Sequence, residues 1–264
     1  KDLKRHSHHE DFYARSPSTD GLKIVYHAGG DLFILDPRKS DGGELVEIDF
    51  RSPSSQVNRR FVSASKYMED YDLHPEGHSI TLTARGKVFS LPHWEGAVNH
   101  VGDRDGSRFR LARWLHDGER IVTLSDESGE ERIQVRDPQG KKKVKVLKAL
   151  DFGRPFALES APNSDAIAFT NNRGEIWHVD LKKGKAQVLD SSQHGPIRGF
   201  DWSPDGHYLS YAFPSDYNKV KIRLAEIQTG KTSDLTEAAF LDMTPVFDPD
   251  GKYIYFLSAR NFDP

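Results

Sequence analysis

The feature that most constrains the fold of this chain is a hairpin that recurs. Its clearest copy is Gly199-Phe-Asp-Trp-Ser-Pro-Asp-Gly-His-Tyr-Leu-Ser-Tyr-Ala-Phe213, in which two aromatic and apolar runs flank a Pro-Asp-Gly turn. Pro204 presets φ for the turn, Asp205 tolerates its strained positions, and Gly206 supplies positive φ without steric cost. The flanks suit pleated, largely buried strands. Cognate stretches are Arg15-Ser-Pro-Ser-Thr-Asp-Gly21, Leu73-His-Pro-Glu-Gly77, Trp114-Leu-His-Asp-Gly118, Ala161-Pro-Asn-Ser-Asp165 and Phe247-Asp-Pro-Asp-Gly251. Each leads into an apolar run such as Arg120-Ile-Val-Thr-Leu124 or Tyr253-Ile-Tyr-Phe-Leu257. The residue before the turn glycine, or its equivalent, falls at 20, 76, 117, 164, 205 and 250, in steps of 56, 41, 47, 41 and 45.

Strand-only units at a period of roughly 40–50 residues are the blades of a β-propeller. The rest of each unit agrees. A polar turn such as Asn171-Asn-Arg-Gly174 precedes a third strand, as in Glu175-Ile-Trp-His-Val-Asp180. A glycine turn then precedes an outer strand such as Ala186-Gln-Val-Leu189. The expected fold is all-β, a propeller of four-stranded antiparallel blades, and since a blade cannot bury both faces alone it must stack on neighbours. The long first step coincides with a break. Arg51-Ser-Pro-Ser-Ser55 has linker composition. Residues 1–52 therefore read as the last blade of one propeller, 53–70 as a linker, and 71–264 as four and a half blades of a second. The last unit has strands for its inner hairpin only, and the chain begins mid-pattern without Met, so it is expected to be a fragment.

With 37 Lys and Arg against 40 Asp and Glu, the net charge of −3 gives no bulk field favouring nucleic acid or an anionic membrane. The absence of Cys excludes disulfides, thiolate catalysis and Cys-ligated metal. No apolar run approaches the roughly 20 residues of a membrane-spanning helix. The motifs of common catalytic centres are missing: no Gly-x-Ser-x-Gly elbow, His-Glu-x-x-His pair, phosphate loop or dinucleotide fingerprint is present. Ser125-Asp126 and Ser215-Asp216 fall in predicted turns, where such side chains bond local backbone. His6, His8, His9, Glu10 and Asp11 could in principle hold zinc, but a solvated lead into a strand is the preferred reading. In Lys141–Lys148, alternation puts Lys143 and Lys145 on one face and Val144 and Val146 on the other, a solvated edge that blocks strand addition. Arg59 and Arg60 could clamp a carboxylate, although surface ion pairing is the commoner role for such a pair. The strand before each turn is the one that lines a propeller's central passage, which makes Asp72, Arg110, Arg113, Glu159 and Arg198 the candidate channel residues. Their mixed signs suit either a polar peptide passage or ion pairing between neighbouring blades, and both readings stay open.

The Trp202-Ser-Pro-Asp-Gly206 and Phe247-Asp-Pro-Asp-Gly251 signatures are shared by TolB-type propellers and those of prolyl-oligopeptidase-like enzymes. A more specific resemblance lies in Phe12-Tyr-Ala-Arg-Ser-Pro-Ser-Thr-Asp-Gly21 and its continuation to Phe33, which resemble the end of the first propeller of tricorn-type serine peptidases. Arg59-Arg-Phe-Val-Ser-Ala-Ser-Lys-Tyr67, Leu82–Phe89, Trp94-Glu-Gly96 and Arg110-Leu-Ala-Arg-Trp-Leu115 resemble the start of the second. The resemblance implies a six-bladed and then a seven-bladed propeller, followed by a PDZ-like module and catalytic domains. It further implies a cytoplasmic peptidase that trims oligopeptides released by the proteasome or similar proteases. The catalytic groups would lie beyond Pro264, so none is assigned here, and this segment is expected to be non-catalytic, a substrate filter and passage. That family's carboxylate clamp is an arginine pair in the first propeller, and Arg59-Arg60 is not equated with it. The expected partners are oligopeptides and the rest of the same polypeptide; neither nucleic acid nor membrane is expected, nor any cofactor, and whether copies form a homo-oligomer stays open. Two alternatives compete: a TolB-like interaction propeller without enzymatic activity, and a propeller that is itself a metal-dependent hydrolase or lyase through the His6–Asp11 lead.

Overall fold

The computed structural model of the chain describes residues 3–39, 42–49, 62–102, 106–148 and 150–260. It divides into two compact units, Lys1–Val62 and Ser63–Pro264. Among the described residues no helix is long and apolar enough to cross a membrane. The first unit holds one antiparallel sheet, β1 (Arg15–Thr19), β2 (Ile24–Ala28), β3 (Asp31–Leu35) and β4 (Glu44–Leu45), hydrogen-bonded in that order. Its small core is Tyr26, Ala28 and Leu35, with Ile24 and Phe33 against it.

The second unit begins with a single 3-10 turn, Ala64–Lys66. Its first strand starts inside the stretch expected to be linker. The blades follow as four-stranded sheets. The first is β5 (Met68–Leu73), β6 (Ser79–Ala84), β7 (Lys87–Pro92) and β8 (Asn99–His100); the second is β9 (Phe109–Trp114), β10 (Ile121–Ser125), β11 (Arg132–Arg136) and β12 (Lys145–Val146). The third is β13 (Pro155–Ser160), β14 (Ala166–Asn171), β15 (Glu175–Asp180) and β16 (Lys185–Ser191). The fourth is β17 (Arg198–Trp202), β18 (Tyr208–Asp216), β19 (Lys219–Glu226) and β20 (Thr232–Asp234), joined by a short parallel pairing of β19 to the hairpin β21 (Leu241–Phe247) and β22 (Ile254–Ala259).

The cores lie between blades and follow from the period-2 alternation of strands. On β10, Ile121 faces the first blade's Val88 and Val101, while Val122 and Leu124 face the third. On β14, Ile167 and Phe169 face the second blade, and Ala166 and Ala168 face Trp202 and Tyr211 of the fourth. Every residue of β10 and β14 is therefore buried, the signature of a strand covered on both faces. Small Ala meeting large Trp and Tyr is how facing sheets interdigitate without voids.

Several local expectations change. Ser125 is the last residue of β10 and 1 % exposed, Asp126 opens the turn closed by the Gly129 amide, and Ser215 and Asp216 close β18. The expected local backbone bonds are present, from the Glu127 amide to Ser125 Oγ, from the Ser215 hydroxyl to the Lys219 carbonyl and from the Tyr217 amide to Asp216. Among the lysines, only Lys145 is in β12 with Val146, and Lys145 Nζ donates to the Leu181 carbonyl of the next blade at 2.7 Å, while Val146 is half exposed. Because its ammonium reaches a carbonyl of the neighbouring blade, this lysine fastens blades together as well as marking an edge.

Candidate functional site

The first strand of each blade carries an irregularity that decides where its charges go. On β9, Arg110 pairs with Leu124 and Arg113 with Val122, so Leu111 and Ala112 together oppose the single Thr123. Leu111 takes φ +51° to make this bulge. Strict alternation would put residues three apart on opposite faces; the extra residue puts Arg110 and Arg113 on the same side. Corresponding shifts occur in β5, β13, β17 and β21, with Gly199 at φ +67° and Thr244 at φ +47°.

The result is a cleft of about 320 Å³ bounded by Glu69, Asp70, Thr83, Arg108, Arg110, Leu111, Arg113, Phe156 and Ala157. Arg113, 8 % exposed, spans three blades. Nη1 donates to Asp70 Oδ2 at 2.5 Å, and Nε and Nη2 fork onto Glu159 at 3.2 Å each. Burial alone would lower the guanidinium's proton affinity; Glu159 and Asp70 outweigh it and raise it. Arg110 forks onto Glu131 of its own blade at 2.6 and 2.7 Å and donates to the Pro155 carbonyl of the next at 3.3 Å. Arg108 lies half exposed, 3.7 Å from Glu69. Arg198 is exposed and makes no ion pair among the described residues; its guanidinium lies 5.9 Å from the centroid of the Phe156 ring, itself 45 % exposed.

Asp72 sits one residue before the strand's end and accepts the Trp114 amide of the next blade at 2.7 Å. Asp201, at the same place in the fourth blade, accepts the Phe247 amide at 2.8 Å. Burial pushes both carboxyls above their ordinary range, against the pull of those amides. Burial likewise raises Glu159, with Arg113 opposing. The structure thus places Arg110 and Arg113 on the cleft, with Glu159 bound to Arg113 and Asp72 clasping the next blade through the Trp114 amide, and leaves Arg198 as an exposed cation near Phe156. Arg59 and Arg60 lie outside the described residues. In the lead, His9 Nε2 is 2.9 Å from the Tyr26 hydroxyl and its ring stands edge-on to Phe33, so this imidazole packs on the first sheet. Among the described residues the lead forms no cluster of three ligand atoms, whereas His74, Glu76 and His78 do.

Sequence reasoning missed the acid-to-amide clasps, because the donor is a backbone group some 42–46 residues away. The available signal was the repeat itself: Asp72 and Asp201 occupy one register, which is visible once the turns are aligned.

A family model for the tricorn protease second beta propeller domain matches residues 68–264. A tricorn protease homolog of Saccharolobus solfataricus is 34 % identical over this whole chain, which covers 24 % of that protein. A putative tricorn-like protease C-terminal subunit of Sulfurisphaera tokodaii is 32 % identical over the whole chain, which covers 30 % of it. The chain thus spans about a quarter to a third of the length of these curated relatives. Among solved structures, the crystal structure of the tricorn protease superposes on the whole chain with a TM-score of 0.70 and 27 % identity, this chain covering 26 % of that one. The structure of a putative TolB from Agrobacterium tumefaciens superposes on 96 % of this chain and 92 % of its own with a TM-score of 0.53 at 17 % identity, a likeness of fold.

Proposed function

The chain belongs to the tricorn protease family, with residues 68–264 in that family's second β-propeller domain, and on that premise we propose that it is a non-catalytic filter and passage for oligopeptides within a larger, cytoplasmic serine peptidase. Hydrolysis is assigned to other parts of the same polypeptide. In this reading residues 1–52 end a preceding six-bladed propeller, and residues 71–264 are part of a seven-bladed one.

The observation that carries the reading is the cleft along the first strands of the first three blades. Its walls are held rigid by Arg113 and Arg110 in their forked ion pairs. Its wall includes an exposed ring, Phe156, and the exposed Arg198 guanidinium lies 5.9 Å from the centroid of that ring. An extended peptide presents carbonyls, side-chain carboxylates and a carboxyl terminus. A guanidinium beside an aromatic face contacts such groups without selecting one sequence. Rigid walls then select by size, since little ordering is left to be done on entry.

The test uses the full-length protein and fluorogenic peptides of increasing length. Arg198→Ala and Arg108→Ala should alter the ratio of kcat/KM between long and short peptides and leave the shortest substrate unaffected. An unchanged length profile in both variants sinks the filter. The 264-residue chain alone should show no peptidase turnover, and turnover by it would sink the non-catalytic assignment.

A further inference from the structure

The turn from β5 to β6, His74-Pro-Glu-Gly-His78, gathers two imidazoles and a carboxylate whose ligand atoms lie within 4.8 Å of one another. His74 is the fixed member. It is 6 % exposed, its ring stands edge-on to Trp114 with centroids 4.7 Å apart, and Nε2 lies 2.8 Å from the Gly118 carbonyl of the next blade. The Glu76 amide donates to Nδ1 at 3.1 Å. A carbonyl can only accept and an amide N–H can only donate, so the two contacts together define the tautomer. The proton is on Nε2, and the Nδ1 lone pair faces the turn. That is the tautomer that a metal-ligating imidazole needs: the Nδ1 lone pair, here accepting the Glu76 amide, is the one that can coordinate, and Nε2 donates to a backbone carbonyl that orients the ring.

The other two members are adjustable. His78 lies over His74 with centroids 3.8 Å apart, and its Nε2 is 3.7 Å from Glu76 Oε2. Both side chains are more than half exposed and can swing to a common point. The turn also borders a cleft of about 540 Å³, whose walls include Ser90, Asn99 and Lys141.

We propose that this turn binds one divalent transition-metal ion of the zinc type, through Nδ1 of His74, the Glu76 carboxylate and an imidazole nitrogen of His78. Two imidazoles and one carboxylate are a zinc-class donor set, and calcium and magnesium would seek oxygens instead. The fourth position opens on the cleft and is filled by water. The Glu76 amide, which now occupies the Nδ1 lone pair, is displaced on binding. The ion would pin the turn of the first blade while Nε2 holds Gly118 of the second, so binding also ties two blades together. This site is separate from the peptide passage and does not rest on that reading.

Zinc titration of the 264-residue chain by calorimetry tests it. The variants are His78→Ala and Glu76→Gln, both at exposed side chains, with circular dichroism to check the fold. A third variant replaces His6, His8 and His9 with Ala to remove zinc binding by the lead. We expect one ion on the lead variant, with affinity about tenfold or more weaker when His78→Ala or Glu76→Gln is added. The thermal midpoint should rise with zinc in the lead variant and stay put when His78→Ala is added. Unchanged affinity and stoichiometry in the His78→Ala and Glu76→Gln chains, or no zinc binding by the lead variant, overturns the proposal.

Discussion

Asp201 isolates the chemistry of an acid-to-amide clasp, since its carboxylate accepts the Phe247 amide and makes no ion pair among the described residues. Its pKa is raised above the usual 3.8 by burial. The unfolded chain then releases this proton first as pH rises, so stability is fullest below 3.8 and falls as pH climbs through the folded value. Asn keeps an accepting oxygen and removes the charge. Asp201→Asn should match or exceed the wild type at neutral pH in urea melts, the gap closing as pH drops below the folded value. Asp201→Ala, which leaves the Phe247 amide unpaired, should cost about 1–2 kcal/mol. Asp165 has the opposite sign. Hydrogen bonding to Arg120 lowers its pKa, so its contribution is present above 3.8 and disappears as pH falls through the lowered value. The type and place of these acids were readable in the sequence. Their partners were not, because one is a backbone amide and the other a guanidinium 45 residues away.

At the scale of the strand, the bulge is the informative departure. The sequence supplies hairpins, their turns and their order, since Pro-Asp-Gly chemistry and alternating apolar residues are local. The bulge is settled by how neighbouring blades meet, and only Gly199 hints at it. A Cβ at Gly199 would lie 3.1 Å from Thr244 Cα of the adjoining hairpin, on a backbone with φ +67°. Gly199→Ala should therefore destabilise by about 1–2 kcal/mol in chemical denaturation, from the left-handed backbone and the close approach together. Thr244→Gly relieves a β-branched residue at φ +47° and should be neutral or stabilising. If Gly199→Ala melts like the wild type, the bulge does not constrain this strand. The same irregularity explains why alternation alone does not place Arg110 and Arg113 together.

Across the second unit, the blades are joined by apolar cores between them and by clasps along the first strands and turns. Arg113 is the most connected of these, touching Asp70 and Glu159 in the two flanking blades. Arg113→Ala leaves two acids without their cation, a loss of about 1–3 kcal/mol once the partial exposure of Glu159 is allowed for. Hydrogen exchange should then quicken in β5, β9 and β13 together; quickening in β9 alone would show that the arginine serves only its own blade. Arg113 pairs with Asp70 and Glu159 at separations of 43 and 46 residues, and Arg120 with Asp165 at 45. Each blade's mutations are thus answerable to the blade beside it. A lineage that loses a charge on one repeat is pressed to amend the next. Among relatives, these pairs should change in concert at a separation of one repeat, so that the arithmetic of duplication remains written in which substitutions travel together.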